Sequence, residues 1–325
     1  MEKKDTGKVG VLLVQHGEPE TYNYSQWVQE FKNMFGEFKN TNVPVPPKIM
    51  WPFLAWTMKS HYKGVGGRST HVEVSRKQLE LLRKELPEYE IHMGFMEMIE
   101  PTITATAHEM IKKGFTKIIA VPVMLTDSSH TEEIKEILEE VEHEAKGIEI
   151  LLTRPQFYKA DSLAPMCAQL IKKKAGNTPL DRIGVLLASH GEPDEWVRLK
   201  LINTRCNEQE TAFRGMIRKK LIELGFKAEN ITNAFNEFVE PKIIPAVEKV
   251  AQNQVDKIIT LSAFGQTEGL HHIYDIPTKV KKAKIPSTIK TDFVISWAHE
   301  PVLIKALGDL CRDALKGEIY QSPVL

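Results

Sequence analysis

The chain has 325 residues, which suggests about two domains at the usual span of roughly 100–200 residues each. Its 43 basic and 43 acidic residues balance, which argues against the broad positive field of a nucleic-acid binder. Cys167, Cys206 and Cys311 are scattered and form no CxxC pair, so neither a zinc knuckle nor an iron–sulfur cluster is expected, nor any other prosthetic group.

The opening MEKKDTGK leads directly into an apolar run without a secretory core, and no stretch reaches the roughly 18 apolar residues of a membrane span. A cytoplasmic, reduced protein is expected. Residues 9–14, VGVLLV, are short, apolar and β-branched, which suits a strand buried on both faces of a parallel sheet. Gly17 breaks the run, so His16 sits at the strand's carboxyl end, the edge where open α/β sheets bind ligands.

The segment 21–75 is unusual. It contains VPVPPKIMWPFLAW (43–56) and HYKGVGGRST (61–70). Pro44, Pro46, Pro47 and Pro52 discourage a continuous helix. Met50, Trp51, Phe53, Leu54, Trp56 and Met58 offer more apolar surface than a loop needs. They fit a helix docked on the core, a lip over a flat hydrophobic ligand, or a face resting on a membrane. GFMEMIEP (94–101) follows, then a strand at 117–123 and His130 within DSSHTEEI (127–134).

The same order then recurs. IGVLLASHGEPD (183–194) repeats VGVLLVQHGEPE (9–20), AFNEFVEP (234–241) repeats GFMEMIEP, and a strand at 257–263 leads into TEGLHHIYDI (267–276). A unit this long suits tandem domains, not a solenoid. Pro101 and Pro241 fit the first turn of helices, which makes Glu100 and Glu240 N-terminal residues; Glu97 and Glu237 sit beside the same breaks. A lone histidine is more often structural than functional, but His16, His130, His190 and His271 recur at strand ends in pairs. His61, His71, His92, His108, His143 and His299 have no such echo.

Two chemistries fit a strand ending in His-Gly. Phosphoryl transfer needs an arginine beside the histidine to clamp phosphate, but Gln15 and Ser189 hold that place. Metal insertion into a tetrapyrrole needs a ligand to strip water from the ion, a base for two pyrrole protons and a grip on a flat ring. Neutral imidazole is a good ligand for Fe²⁺, Co²⁺ or Ni²⁺ and accepts protons near neutral pH.

From about residue 9 to residue 315 the chain resembles the class II chelatases, which include ferrochelatases and sirohydrochlorin cobaltochelatases. LLASHGEPDEW (186–196) is similar to the ferrochelatase strand that delivers an essential histidine. Residues 206–211, CNEQET, resemble the helix after it, and HYKGVGGRSTHVEVSRKQLELL resembles that family's Gly-Gly-Ser segment. The resemblance implies a ferrochelatase-like lyase of heme biosynthesis. Its substrates would be a porphyrin-type tetrapyrrole and a divalent metal, Fe²⁺ favoured. Trp51, Phe53, Leu54 and Trp56 would form the tetrapyrrole lip, with a membrane face as a further use. His190 would be catalytic and metal-binding.

Ferrochelatases carry a glutamate where this chain has His271, followed four residues later by an acid, here Asp275. His271 and Asp275 share a helix face, as do the accessory candidates Glu268 and His272. Cobaltochelatases are similar in using histidine there, so a sirohydrochlorin cobaltochelatase using Co²⁺ or Ni²⁺ is the alternative. A non-catalytic carrier would keep the lip and need no base. His16 and His130, with Glu133 beside them, resemble the pair of the short cobaltochelatases and mark either a second site or a relic; Ser129 could instead cap a helix carrying Glu132 and Glu133. The expected fold is two similar doubly wound α/β domains with four-stranded parallel sheets, 1–155 and 156–325, facing across a cleft, the second carrying the favoured site.

Overall fold

The computed structural model describes residues 7–37, 45–193 and 204–323. Pro44 and the Asp194-Glu195-Trp196 end of the second histidine motif lie outside the described residues. Strands β1 (Lys8–Gln15), β2 (Glu90–Phe95), β3 (Phe115–Pro122) and β4 (Glu149–Leu152) form a parallel sheet in the order β2-β1-β3-β4. Strands β5 (Ile183–Ser189), β6 (Ile231–Phe235), β7 (Lys257–Ser262) and β8 (Lys290–Val294) repeat it as β6-β5-β7-β8. This is the duplicated, doubly wound architecture that the repeated motifs imply.

Ten helices among the described residues cover the sheets: α1 (Tyr24–Glu37), α2 (Trp51–Gly64), α3 (His71–Glu85), α4 (Ile103–Lys112), α5 (Ser129–Glu144), α6 (Ala160–Ala175), α7 (Cys206–Glu223), α8 (Ile243–Ala251), α9 (Ile276–Lys282) and α10 (Pro301–Ala314). None of them is long and apolar enough to cross a membrane. The alternation of strand side chains divides the core. Val11, Leu13, Ile119 and Val121 share one cluster with Val185, Leu187, Ile259 and Leu261, filled from the helices by Leu163, Phe213 and Leu307. Their neighbours Leu12, Val14, Ile118 and Ala120 point the other way, as do Leu186, Ala188 and Ile258. One apolar cluster therefore joins both sheets. Helix α10 returns to pack on α3 and β3 of the first sheet, where Arg312 pairs with Glu85 at 3.0 Å.

The extra segment of the first unit folds as α1 and α2 around two small cores, one of Trp27, Ala55, Tyr62 and Leu270 and one of Phe35 and Trp51. The proline-rich run opens a helix: Pro52 sits in the first turn of α2, where its missing N–H has no partner to lose. This splits the expected lip. Trp51 is only 8% exposed, donates from Nε1 to the Pro46 carbonyl at 2.8 Å and faces inward, and Leu54 packs beside it. Ile49, Phe53 and Trp56 are 85%, 52% and 58% exposed at helical spacing, the last two rings stacked at 5.8 Å.

Two expected helix starts move. Pro101 and Pro241 precede their helices and do not begin them: both Glu-Pro bonds are cis, and α4 and α8 start at Ile103 and Ile243. Glu100 and Glu240 accept the Thr102 and Lys242 N–H groups at 2.9 Å. Ser128, not Ser129, caps α5, in a capping box with Thr131.

The glycines after the strand-end histidines are required by the backbone. Gly17 and Gly191 have φ of +112° and +87°, and a Cβ would stand 2.1 Å from the Glu97 carbonyl oxygen and 3.0 Å from that of Glu237. Only glycine lets these loops close on the strand ends. Gly17→Ala should therefore cost about 1–3 kcal/mol in urea unfolding, and Gly191→Ala less; wild-type stability in Gly17→Ala would contradict the close approach.

Candidate active site

β5 ends at Ser189, so His190 stands at the carboxyl edge of the second sheet. Its Nδ1 donates to the Gly191 carbonyl at 2.8 Å, which leaves Nε2 as the lone-pair nitrogen. Glu210 on α7 receives the His190 and Gly191 N–H groups at 3.1 and 3.0 Å; burial pushes its carboxyl up to about 7. The His190 and His271 rings lie 5.2 Å apart, edge to face. His271 begins a π-helical turn, His271–Asp275, and its Nδ1 is 2.7 Å from Asp275 Oδ2. Glu237 joins them: ligand atoms of Glu237, His271 and Asp275 lie within 4.8 Å of one another, a carboxylate–imidazole set that suits a divalent first-row metal.

The first unit builds the counterpart. His16 and His130 have ring centroids 4.8 Å apart. His16 Nδ1 donates to the Gly17 carbonyl at 3.0 Å while Nε2 meets Glu97 Oε1 at 3.0 Å, and Glu133 lies 3.8 Å from His130 Nδ1. Glu30, from the inserted helix α1, hydrogen-bonds Glu97; burial and the Glu97 charge push it up to about 8.

The two copied histidines hold opposite charge states. Burial alone would lower His16, but Glu97 outweighs it and raises His16 to about 10. Burial would likewise raise Glu97, yet His16 holds it at about 2. His190 is pushed well below its usual value by burial and then by the charges of His271, His130 and His16. The acids beside them also differ in partner. Glu237, the counterpart of Glu97, is held by Lys279 Nζ at 3.0 Å, and Lys279 also donates to the Asn236 carbonyl and side-chain oxygens. His271 is raised: loss of water in the cleft would lower it, but Asp275 outweighs this. His190 therefore offers an open lone pair, whereas His16 is occupied by a proton and an ion pair.

The accessory residues sit elsewhere. Glu268 accepts from Thr70 Oγ1 at 2.6 Å. His272 is buried, receives the Gly269 N–H on Nδ1 and donates from Nε2 to the Phe264 carbonyl. Burial and the His271 charge lower it to about 3. Both brace the turn and do not join the Glu237–His271–Asp275 group. Residues without an assigned role enter instead. Glu97 and Glu237 complete the two pairs, and their recurrence in the duplicated Glu-Pro segments was the available signal. His61 of α2 stacks on Tyr274 at 4.5 Å and lies 3.7 Å from Asp275. His71, lowered to about 4 by burial, bridges the units by donating to the Glu268 carbonyl and accepting the Gly17 N–H. Gln15 is buried and bonded to Gln78, so the position a phosphate-clamping arginine would need holds a neutral amide.

A profile of the ferrochelatase family matches residues 8–259. The ferrochelatase of Aquifex aeolicus is 23% identical over 94% of this chain and 99% of its own. Chloroplastic ferrochelatase-2 of Arabidopsis thaliana is 24% identical over 96% of this chain, which spans 64% of that protein's length. Among short matches, a sirohydrochlorin cobaltochelatase of Methanococcoides burtonii is 47% identical over 58 residues, 18% of this chain and 44% of its own. In structure, the chain is similar to SirB from Bacillus subtilis with Fe³⁺, with a TM-score of 0.57, 16% identity and coverage of 96% and 98% of the two chains.

The His16–Glu97 pair has a definite pH signature. A histidine raised to about 10 from 6.5 adds stability that is full below the unfolded value and fades as pH rises through about 10. A glutamate lowered to about 2 from 4.5 adds stability present above the unfolded value and lost as pH falls through about 2. Ring ¹⁵N shifts should show His16 protonated at pH 8 in the wild type and neutral at pH 7 in Glu97→Gln. A neutral His16 in the wild type at pH 7 would refute the pairing.

Proposed function

The chain belongs to the ferrochelatase family, and we propose that it inserts a divalent metal, Fe²⁺ favoured, into a porphyrin-type tetrapyrrole, a lyase step of heme biosynthesis. One observation carries the reading: a neutral His190 faces the carboxylate-backed His271 across the same cleft. His190 Nε2 would take a pyrrole proton or hold the ion as it enters the ring. His271, Asp275 and Glu237 would receive the ion and exchange its water for imidazole and carboxylate. The ring would lie beneath Phe53 and Trp56, because the C-terminal turn of α2 packs on the His271–Asp275 turn through His61 and Tyr274. The same exposed stripe could rest on a membrane surface. The likeness to the ferrochelatases of Aquifex aeolicus and Arabidopsis thaliana supports this reading.

A second reading, sirohydrochlorin cobaltochelatase, is favoured by the imidazole of His271 at the place where the resemblance leads one to expect glutamate. The Methanococcoides match points the same way.

Purified protein incubated with protoporphyrin, coproporphyrin or sirohydrochlorin and Fe²⁺ or Co²⁺ should shift the visible spectrum of the ring it metallates. His190→Ala should lower turnover by roughly 10²–10⁴-fold, the usual scale for losing an acid–base group, with the fold intact by circular dichroism. Near-normal turnover would move the reaction to the first unit. His271→Glu should raise the Fe²⁺-to-Co²⁺ activity ratio, since carboxylate is the harder ligand; an unchanged ratio would remove this position from metal choice.

A further inference from the structure

The duplicated motif reads His-Gly-Glu in both units, and its glutamates play no part in the chemistry above. Each reaches into the other unit. Glu18, two residues after His16, receives the Leu270 N–H on both carboxylate oxygens at 3.3 and 3.0 Å; the next residue is His271. Glu192, two residues after His190, receives the Ser129 N–H at 2.8 Å and the Ser129 hydroxyl at 2.7 Å; the next residue is His130. In both directions the anchored N–H belongs to the residue just before the partner unit's second histidine.

The surroundings hold both glutamates in place. Ser69 Oγ donates to Glu18 in a short hydrogen bond, and a Cβ on Gly269 would come within 3.1 Å of the Glu18 carboxylate, so that turn is bare where Glu18 enters. Thr204 Oγ1 donates to Glu192 Oε2 at 2.8 Å, while the Asn207 side chain receives the Glu192 N–H and donates to its carbonyl at 2.9 and 2.8 Å. A carboxylate here satisfies N–H groups that a helical segment cannot satisfy itself.

We propose that Glu18 and Glu192 are reciprocal positioning residues: each sets the second histidine of the opposite unit, so the two histidine pairs are coupled through crossed hydrogen bonds. The metal part of this inference rests on the chelatase reading above; the geometric part does not. Its signature is a crossed phenotype. A residue supporting only its local fold would disturb its own unit or both alike.

The test pairs a metal-free and a metal-based readout on the full chain. In ¹H–¹⁵N spectra of the metal-free protein, Glu18→Ala should move the His271 ring signals and leave His130 in place, and Glu192→Ala should move His130 and leave His271. Co²⁺ titration then uses two backgrounds, His16→Ala/His130→Ala and His190→Ala/His271→Ala. Glu18→Ala should weaken Co²⁺ roughly tenfold in the first background only, and Glu192→Ala in the second only, the size expected for losing a hydrogen bond to a charged group. Ring signals that move in the same unit as the substitution, or in both units equally, overturn the proposal. Crossed ring shifts without Co²⁺ binding in either background uphold the brace and count against the metal reading. Should the alanine variants not fold, Glu18→Gln and Glu192→Gln each keep one accepting oxygen and should give the same crossed pattern with smaller shifts; an uncrossed pattern there also overturns it.

Discussion

Glu97 and Glu237 stand at equivalent ends of equivalent strands but find different counter-charges. A partly buried carboxylate is costly unless paired. Glu97 takes His16, and Glu237 takes Lys279 from α9. The first closes an imidazole inside an ion pair; in the second unit, burial and the neighbouring His271 keep His190 neutral. Two copies of one motif thus sit in different electrostatic surroundings.

That backbone is set by apolar packing. β1 and β5 are buried along nearly their whole length, so the first polar positions after them fall at the sheet edge. The shared cluster between the sheets then determines how the edges meet, and the returning α10 ties the last element to the first sheet. A histidine presented by a rigid strand end, with glycine behind it and a loop carbonyl pressed against that glycine, has little freedom to relax away from an incoming ion. Such preorganisation lets a few side chains discriminate between protonated and metal-bound states.

Much of this was legible in the sequence, for different reasons at each level. The strands were visible because continuous β-branched runs such as residues 9–14 have few other uses, and the duplication was visible because both halves repeat the order of their elements. The four paired histidines could be found because recurrence at strand ends is not expected of structural histidines. Glu97 and Glu237 do not stand out, since the proline four residues on suggests a helix start and hides the loop that carries them. Trp51 and Leu54 could not be told from Phe53 and Trp56, because which face of α2 turns inward depends on Phe35 and Pro46, partners that periodicity does not reveal. Lys279 carries no signal of its own, and Glu18, although part of the repeated His-Gly-Glu, acquires its role from a residue brought near only by the fold.

Facing edges also explain why a third residue of the motif matters. In a lone α/β unit, an acid three residues beyond the strand would point into open solvent at the sheet edge. When a second edge lies opposite, the same acid meets the start of the other unit's helical segment, where unsatisfied N–H groups are waiting. Glu18 and Glu192 occupy that relation in both directions. A change at either histidine pair therefore meets a carboxylate whose own backbone continues from the other pair. The units can differ in the charge of their histidines and still be tied by these glutamates, because the first depends on the side chains around each pair and the second on backbone N–H groups.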